Sequence, residues 1–190
     1  LMEALRLDQG TFERLIAKTY DGLAIEPLYP RAADARPIVA RAGPWQVIQR
    51  VDHPDPAAAN AEARHELENG ATGLTLVCAG SLNANGYGID GSAETLNRVL
   101  DGVYLDAGVT IDFNVSPETR DIVRHFTALV RSRQIAPASV DMRGSINPIG
   151  GMAAAGGTNQ PWNELGKTFA ALVGELAGQG FRGPFAVADG

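Results

Sequence analysis

Two short stretches constrain the fold of this chain more than any others: V-T-I-D-F-N-V at 109–115 and S-V-D-M-R at 139–143. Side chains two apart on a strand share a face. Thr110, Asp112 and Asn114 therefore fall on one face, against Val109, Ile111 and Phe113 on the other. Ser139, Asp141 and Arg143 repeat the pattern against Val140 and Met142. A parallel sheet covered by helices on both faces reads as nearly continuous apolar residues. A repeated polar face instead predicts a sheet with helices on one side and a polar lumen on the other.

The surrounding chain supplies those helices. Asp55-Pro56 reads as a helix N-cap and first helical residue, and Asn69-Gly70 as the end of that helix. Ala71 to Ala79 (A-T-G-L-T-L-V-C-A) reads as a buried strand. Ser92 caps a helix carrying Leu96, Val99 and Leu100; Ser116-Pro117 opens another, with Ile122, Phe126, Leu129 and Val130 on one side. A helix after Pro161 carries Leu165, Phe169, Leu172 and Leu176, and Phe185 to Ala188 reads as a fourth strand. Strands alternating with helices make parallel βα units. The expected fold is α/β: four such units forming about half of a (β/α)8 TIM-type barrel. A whole barrel takes about 250 residues, and this chain has 190. It stops just after a strand, where a barrel is expected to go on.

Before Trp45 the pattern differs. Leu1 to Tyr20 reads as a helix, with Phe12, Leu15, Ile16 and Tyr20 on one stripe. Asp21 to Pro44 holds Pro27, Pro30, Pro37 and Pro44 and reads as an extended arm, either wrapping a neighbour or packing on its own domain. The expected division is residues 1–44 as N-terminal helix and arm, and residues 45–190 as the partial barrel.

Composition narrows the function. Apolar residues make up 45% of the chain, which argues against disorder. The net charge of −6, without a basic patch, argues against a nucleic-acid partner. No run approaches the roughly 18 apolar residues that a membrane span needs. A lone cysteine, Cys78, leaves no internal disulfide and fits a reducing, cytoplasmic compartment.

His53, His65 and His125 are scattered without metal-ligand spacing, so no metal and no catalytic residue is expected from them. Gly150-Gly151 and Gly156-Gly157 precede a helix and could cradle a phosphate, but match no complete nucleotide fingerprint; a plain loop is the competing reading. Asp112, Asp141 and Arg143 form the sharpest cluster, because charges inside a barrel are costly unless paired. They read either as a binding site or as a structural ion cluster in which Arg143 bridges both carboxylates and fills the lumen; the structural reading is favoured. Asn114, Ser139, Asp141 and Arg143 are the lumen candidates for substrate contact.

Several stretches, in order, carry a resemblance: T-Y-D-G-L-A-I-E-P-L-Y at 19–29, G-P-W-Q-V-I-Q-R-V-D-H-P-D-P-A-A-A-N-A at 43–61, L-E-N-G-A-T-G-L at 67–74, N-G-Y-G-I-D at 85–90 and L-D-G-V-Y-L at 100–105. Together they resemble the N-terminal barrel of the methylmalonyl-CoA mutase family. The resemblance implies an adenosylcobalamin-dependent isomerase that interconverts methylmalonyl-CoA and succinyl-CoA, with the CoA chain threaded through the barrel lumen. It also implies that some members pair a catalytic large subunit with an inactive small one. Catalytic members read R-P-W-T-I-R-Q-Y where this chain reads G-P-W-Q-V-I-Q-R. Gly43 and Ile48 thus replace two substrate-facing arginines, and Arg50 replaces the tyrosine over the reacting carbons. Asp141 stands where a glutamine is expected, and would repel a substrate carboxylate. The cobalt-ligating D-x-H-x-x-G pattern does not occur.

The resemblance therefore implies a structural small subunit that is not catalytic alone and binds no cofactor itself, packed against a large subunit through the Pro-rich arm. Two alternatives stand beside it. One is a divergent acyl-CoA mutase in which Arg50 or Arg143 pairs with a carboxylate. The other is a binding module in which a second copy of the chain completes the barrel.

Overall fold

The computed structural model describes residues 12–35, 45–116, 120–158 and 160–188. The chain divides into two compact units, Leu1–Pro44 and Trp45–Gly190.

In the first unit, β1 (Ala17–Lys18) pairs antiparallel with β2 (Ala24–Ile25). The turn between them is closed by the Thr19 hydroxyl, which accepts from the Leu23 amide at 3.1 Å. Gly22 takes a φ of +80°, a conformation that glycine adopts without strain. The helix expected through Tyr20 is thus corrected: the Asp21-Gly22 turn signal outweighs the weak helical stripe. Leu1 to Thr11 of that helix lie outside the described residues. The arm is exposed as far as Ala35, where a turn brings the Ala35 amide to the Ala32 carbonyl at 3.0 Å, and 36–44 lie outside the description. Within it the Tyr29 hydroxyl accepts from the Glu26 amide at 2.8 Å and donates to the Ala24 carbonyl at 3.3 Å.

The second unit is built on a four-stranded parallel sheet: β3 (Ile48–Val51), β4 (Gly73–Val77), β5 (Thr110–Asn114) and β6 (Asp141–Arg143), side by side in chain order. Helix α1 (Pro56–Glu68) links β3 to β4, α2 (Ala93–Val99) links β4 to β5, and α3 (Ile122–Ser132) links β5 to β6. Successive helices pack on one another. A right-handed crossover between neighbouring parallel strands puts each helix on the same side of the sheet. The result is the βα arrangement of about half a (β/α)8 barrel, as the sequence pattern predicts. Two further helices, α4 (Pro148–Ala154) and α5 (Trp162–Gly178), follow β6.

The helix starts follow the cap residues. Asp55 accepts from the amides of Ala57 and Ala58 at 2.8 and 2.9 Å, and Ser92 accepts from Thr95 at 3.1 Å. Helix α3 is described from Ile122; Pro117, the expected start, lies outside the described residues. The core lies between sheet and helices. Leu74, Leu76, Ile111, Phe113 and Met142 from the strands meet Leu96, Val123 and Phe126 from the helices, all essentially without exposure. Phe113 meets Phe126 edge-to-face, with ring centroids 5.1 Å apart.

Three strand boundaries differ from expectation. Ile48–Val51 was not expected as a strand, because only Val51 of its four residues is buried and the apolar signal is correspondingly thin. Ser139 belongs to a short 3-10 turn, Pro137–Ser139, and β6 begins only at Asp141. Proline fixes φ near the helical value and lacks the N–H that a ladder needs. The expected strand Phe185–Ala188 contributes one parallel bridge, Ala186 to Ile146.

Truncating Phe113 to alanine is expected to destabilise the second unit by about 3–5 kcal/mol, read from urea unfolding. The two amide hydrogen bonds from Ala58 and Ala57 hold the Asp55 carboxyl below its ordinary value of 3.8. A folded value below the unfolded one stabilises the fold above the unfolded pKa, and that contribution is lost as pH falls through the folded pKa. The deficit of an Asp55→Ala variant is therefore expected to be full at neutral pH and to shrink below about pH 4, measured by unfolding across that range.

Candidate functional site: the polar face of the sheet

The register fixes which side chains share the face turned away from the helices. Arg50, Thr75, Asp112 and Arg143 are aligned across β3, β4, β5 and β6. One step toward the strand starts, Ile48, Gly73, Thr110 and Asp141 are aligned. Val77 and Asn114 lie one step toward the strand ends, at the side where barrels carry their sites. The face narrows at Gly73, where an added Cβ would stand 2.7 Å from the Thr110 Cβ and 2.8 Å from its carbonyl oxygen.

These polar groups satisfy one another. Thr110, fully buried, donates to Asp141 Oδ2 at 2.5 Å and accepts from Gln46 Nε2 at 3.3 Å. Arg143 Nη2 donates to Gln46 Oε1 at 2.6 Å and stands 3.4 Å from Asp141 Oδ2. The Asp141 and Arg143 side chains are each about one-third exposed. The Arg143 Nε is buried without an acceptor among the described residues. Asp112 is held differently: Ser145 donates to its Oδ1 at 2.5 Å and Thr75 to its Oδ2 at 3.2 Å. At the far side, Arg50 pairs with Asp52 at 2.5 Å and donates to the Asn83 carbonyl at 2.7 Å.

The structure thus brings Asp112, Asn114, Asp141 and Arg143 onto one face. It does not join Asp112, Asp141 and Arg143 into a single ion cluster: Arg143 pairs with Asp141 and Gln46, and two hydroxyl groups satisfy Asp112. Hydroxyls replace the second ion pair because Ser145 and Thr75 lie closer to Asp112 than the guanidinium, which is drawn toward β3. Ser139 is exposed in its turn and donates to the Ala136 carbonyl at 2.7 Å. Gln46, Thr75 and Ser145 were not expected as members. Thr75 could have been found by extending the period-2 reading into β4; Gln46 and Ser145 lie outside the strands and gave no such signal.

The remaining candidates sit elsewhere. His53 Nδ1 accepts from the Asp55 amide, His65 meets Asn69, and His125 donates to the Gly91 carbonyl, all in the helical layer or its loops. None of the three stands on the polar face of the sheet. No group of three His, Cys, Asp or Glu among the described residues is placed to hold a metal ion, and no described helix is long and apolar enough to cross a membrane. Gly150 and Gly151 lie inside α4 rather than in an open loop. The Gly150 amide is taken by the Asn147 side chain at 2.8 Å, and a Cβ there would collide with that side chain.

No family model matches the chain. It is 32% identical over 181 residues to the methylmalonyl-CoA mutase small subunit of Streptomyces virginiae, an alignment that takes in 87% of this chain. Over this segment the chain is thus similar to a methylmalonyl-CoA mutase small subunit. It spans 26% of the length of that curated relative, so the likeness concerns this segment.

Replacing Thr110 by valine keeps its shape and removes the hydroxyl that joins Gln46 to Asp141. The expected cost is about 1–2 kcal/mol in unfolding free energy, checked by chemical denaturation.

Proposed function

We propose that this chain forms part of the barrel of a methylmalonyl-CoA mutase small subunit, and that its role in the assembly is structural. The observation that carries the reading is that the cations of the polar face are taken up within the chain. Arg50 is engaged by Asp52 and the Asn83 carbonyl, and Arg143 by Asp141 and Gln46, while Asp112 adds a further carboxylate held by two hydroxyls. An acyl-CoA is strongly anionic, and recognition of an anion rests on charge-assisted donors held ready for it. The name of the relative supports the same reading, since a small subunit has a larger partner. On this proposal the partner is a mutase large subunit, with a second copy of the chain as the other occupant of that place. Isomerisation of methylmalonyl-CoA and succinyl-CoA belongs to the complete assembly, and adenosylcobalamin supplies its radical chemistry there. The described residues do not fit the cofactor, because each histidine is engaged in the helical layer. The single buried thiol, Cys78, suits a cytoplasmic location.

A second reading is favoured by one observation, the buried Arg143 Nε without an acceptor. In that reading the chain belongs to a divergent acyl-CoA mutase, and Arg143 takes a substrate carboxylate beside Asn114.

Co-expression of the full-length protein with the mutase large subunit distinguishes them. The structural reading expects a stoichiometric complex in gel filtration, and acyl-CoA turnover with adenosylcobalamin that Arg143→Met changes by less than about twofold. The enzymatic reading expects that variant to lower turnover by roughly ten- to a hundredfold, the loss of one charged hydrogen-bonding partner. Failure to form a complex would sink the structural proposal.

A further inference from the structure

The connection after β6 joins the polar face to the outer edge of the sheet. Gly144 donates to the Pro184 carbonyl at 3.1 Å, Ile146 to the Phe185 carbonyl at 3.2 Å, and Val187 to the Ile146 carbonyl at 3.3 Å. These three bonds fix the last described segment of the chain against the sheet. The approach is close, since a Cβ on Gly144 would stand 2.4 Å from the Phe185 carbonyl oxygen. Between Gly144 and Ile146, Ser145 takes a φ of +39°. A non-glycine residue holds such a backbone only when its surroundings impose it. Ser145 is held there by the backbone bonds of Gly144 and Ile146 on either side and by Asp112, whose Oδ1 accepts the Ser145 hydroxyl while Thr75 holds the other oxygen.

Asp112 has a second suitor. Arg143 is its register partner on the neighbouring strand, about 4.8 Å away across the sheet. The guanidinium is drawn off by Gln46 and Asp141, and its Nε is left without an acceptor. A guanidinium deprived of Asp141 would have Asp112 as the neighbouring carboxylate on this face, and a charged donor outcompetes a hydroxyl for it.

We propose that Asp112 is a latch: its hold on Ser145 keeps the Gly144–Ile146 connection docked to the 184–187 segment, and Arg143 is the built-in competitor that releases it. A group that takes Asp141 or Gln46 from Arg143 on the polar face thereby loosens the outer edge of the sheet. The device couples the two sides of β6 and does not depend on which molecule the face meets.

Hydrogen exchange of the full-length protein tests this at the amides of Gly144, Ile146 and Val187, with Leu74–Val77 of the central strand as the internal reference. Asp112→Ala is expected to speed exchange at the three edge amides about tenfold or more, and to leave the reference unchanged. Asp112→Asn keeps an acceptor for Ser145 and is expected to stay near the wild-type rates. Asp141→Ala frees Arg143 and is expected to loosen the same amides, with Arg143→Met added to it restoring them. Edge amides at wild-type rates in Asp112→Ala or in Asp141→Ala overturn the proposal. So does loosening in Asp141→Ala that persists once Arg143 is removed.

Discussion

A parallel sheet with helices on one side only has to solve two different problems on its two faces. The helical side is solved by apolar area, with Leu74, Leu76, Ile111, Phe113 and Met142 meeting the helices. The other side carries Thr75, Thr110, Asp112, Asp141 and Arg143 in fixed register, and such groups are costly in a confined space unless each finds a partner. The placements of β4, β5 and β6 answer to this division. A one-residue slip of β5 would bring Asp112 into the core and send Phe113 out of it.

The partners are mostly neutral. Asp112 is satisfied by two hydroxyls, and Asp141 shares a hydroxyl with an arginine. Hydroxyl and amide donors suit a crowded lumen because each is small and brings no charge that needs compensating in turn. The one long side chain, Arg143, crosses toward Gln46 and leaves its Nε stranded. That asymmetry makes Arg143 the least settled member of the face.

The division into two faces was legible in the sequence, because V-T-I-D-F-N-V alternates without a break over seven residues. The helix caps were legible for a local reason: Asp55 and Ser92 bond amides two or three residues away. Strand β3 was not legible, since Ile48, Gln49 and Arg50 owe their pairing to β4 rather than to their own pattern. The S-V-D-M-R stretch alternates as a strand should, yet Ser139 falls in a 3-10 turn that begins at Pro137. On the polar face, sequence spacing found the residues that share a strand period. It could not find Gln46, which reaches Thr110 across 64 residues, or Ser145, which enters through a left-handed turn.

The same contacts bear on how the polar face would meet an anion. Along the G-P-W-Q-V-I-Q-R stretch at 43–50 the one cation is Arg50. Its guanidinium is not free, because Asp52 and the Asn83 carbonyl take it up. Arg143 is likewise balanced by Asp141. Both guanidinium groups thus have an acceptor within the chain, although Arg143 Nε has none. An incoming anion would have to displace that acceptor before making a contact of its own, and the displaced carboxylate would remain beside it, repelling it. A face arranged in this way favours side chains that interlock with it over an anion that must be bound and released.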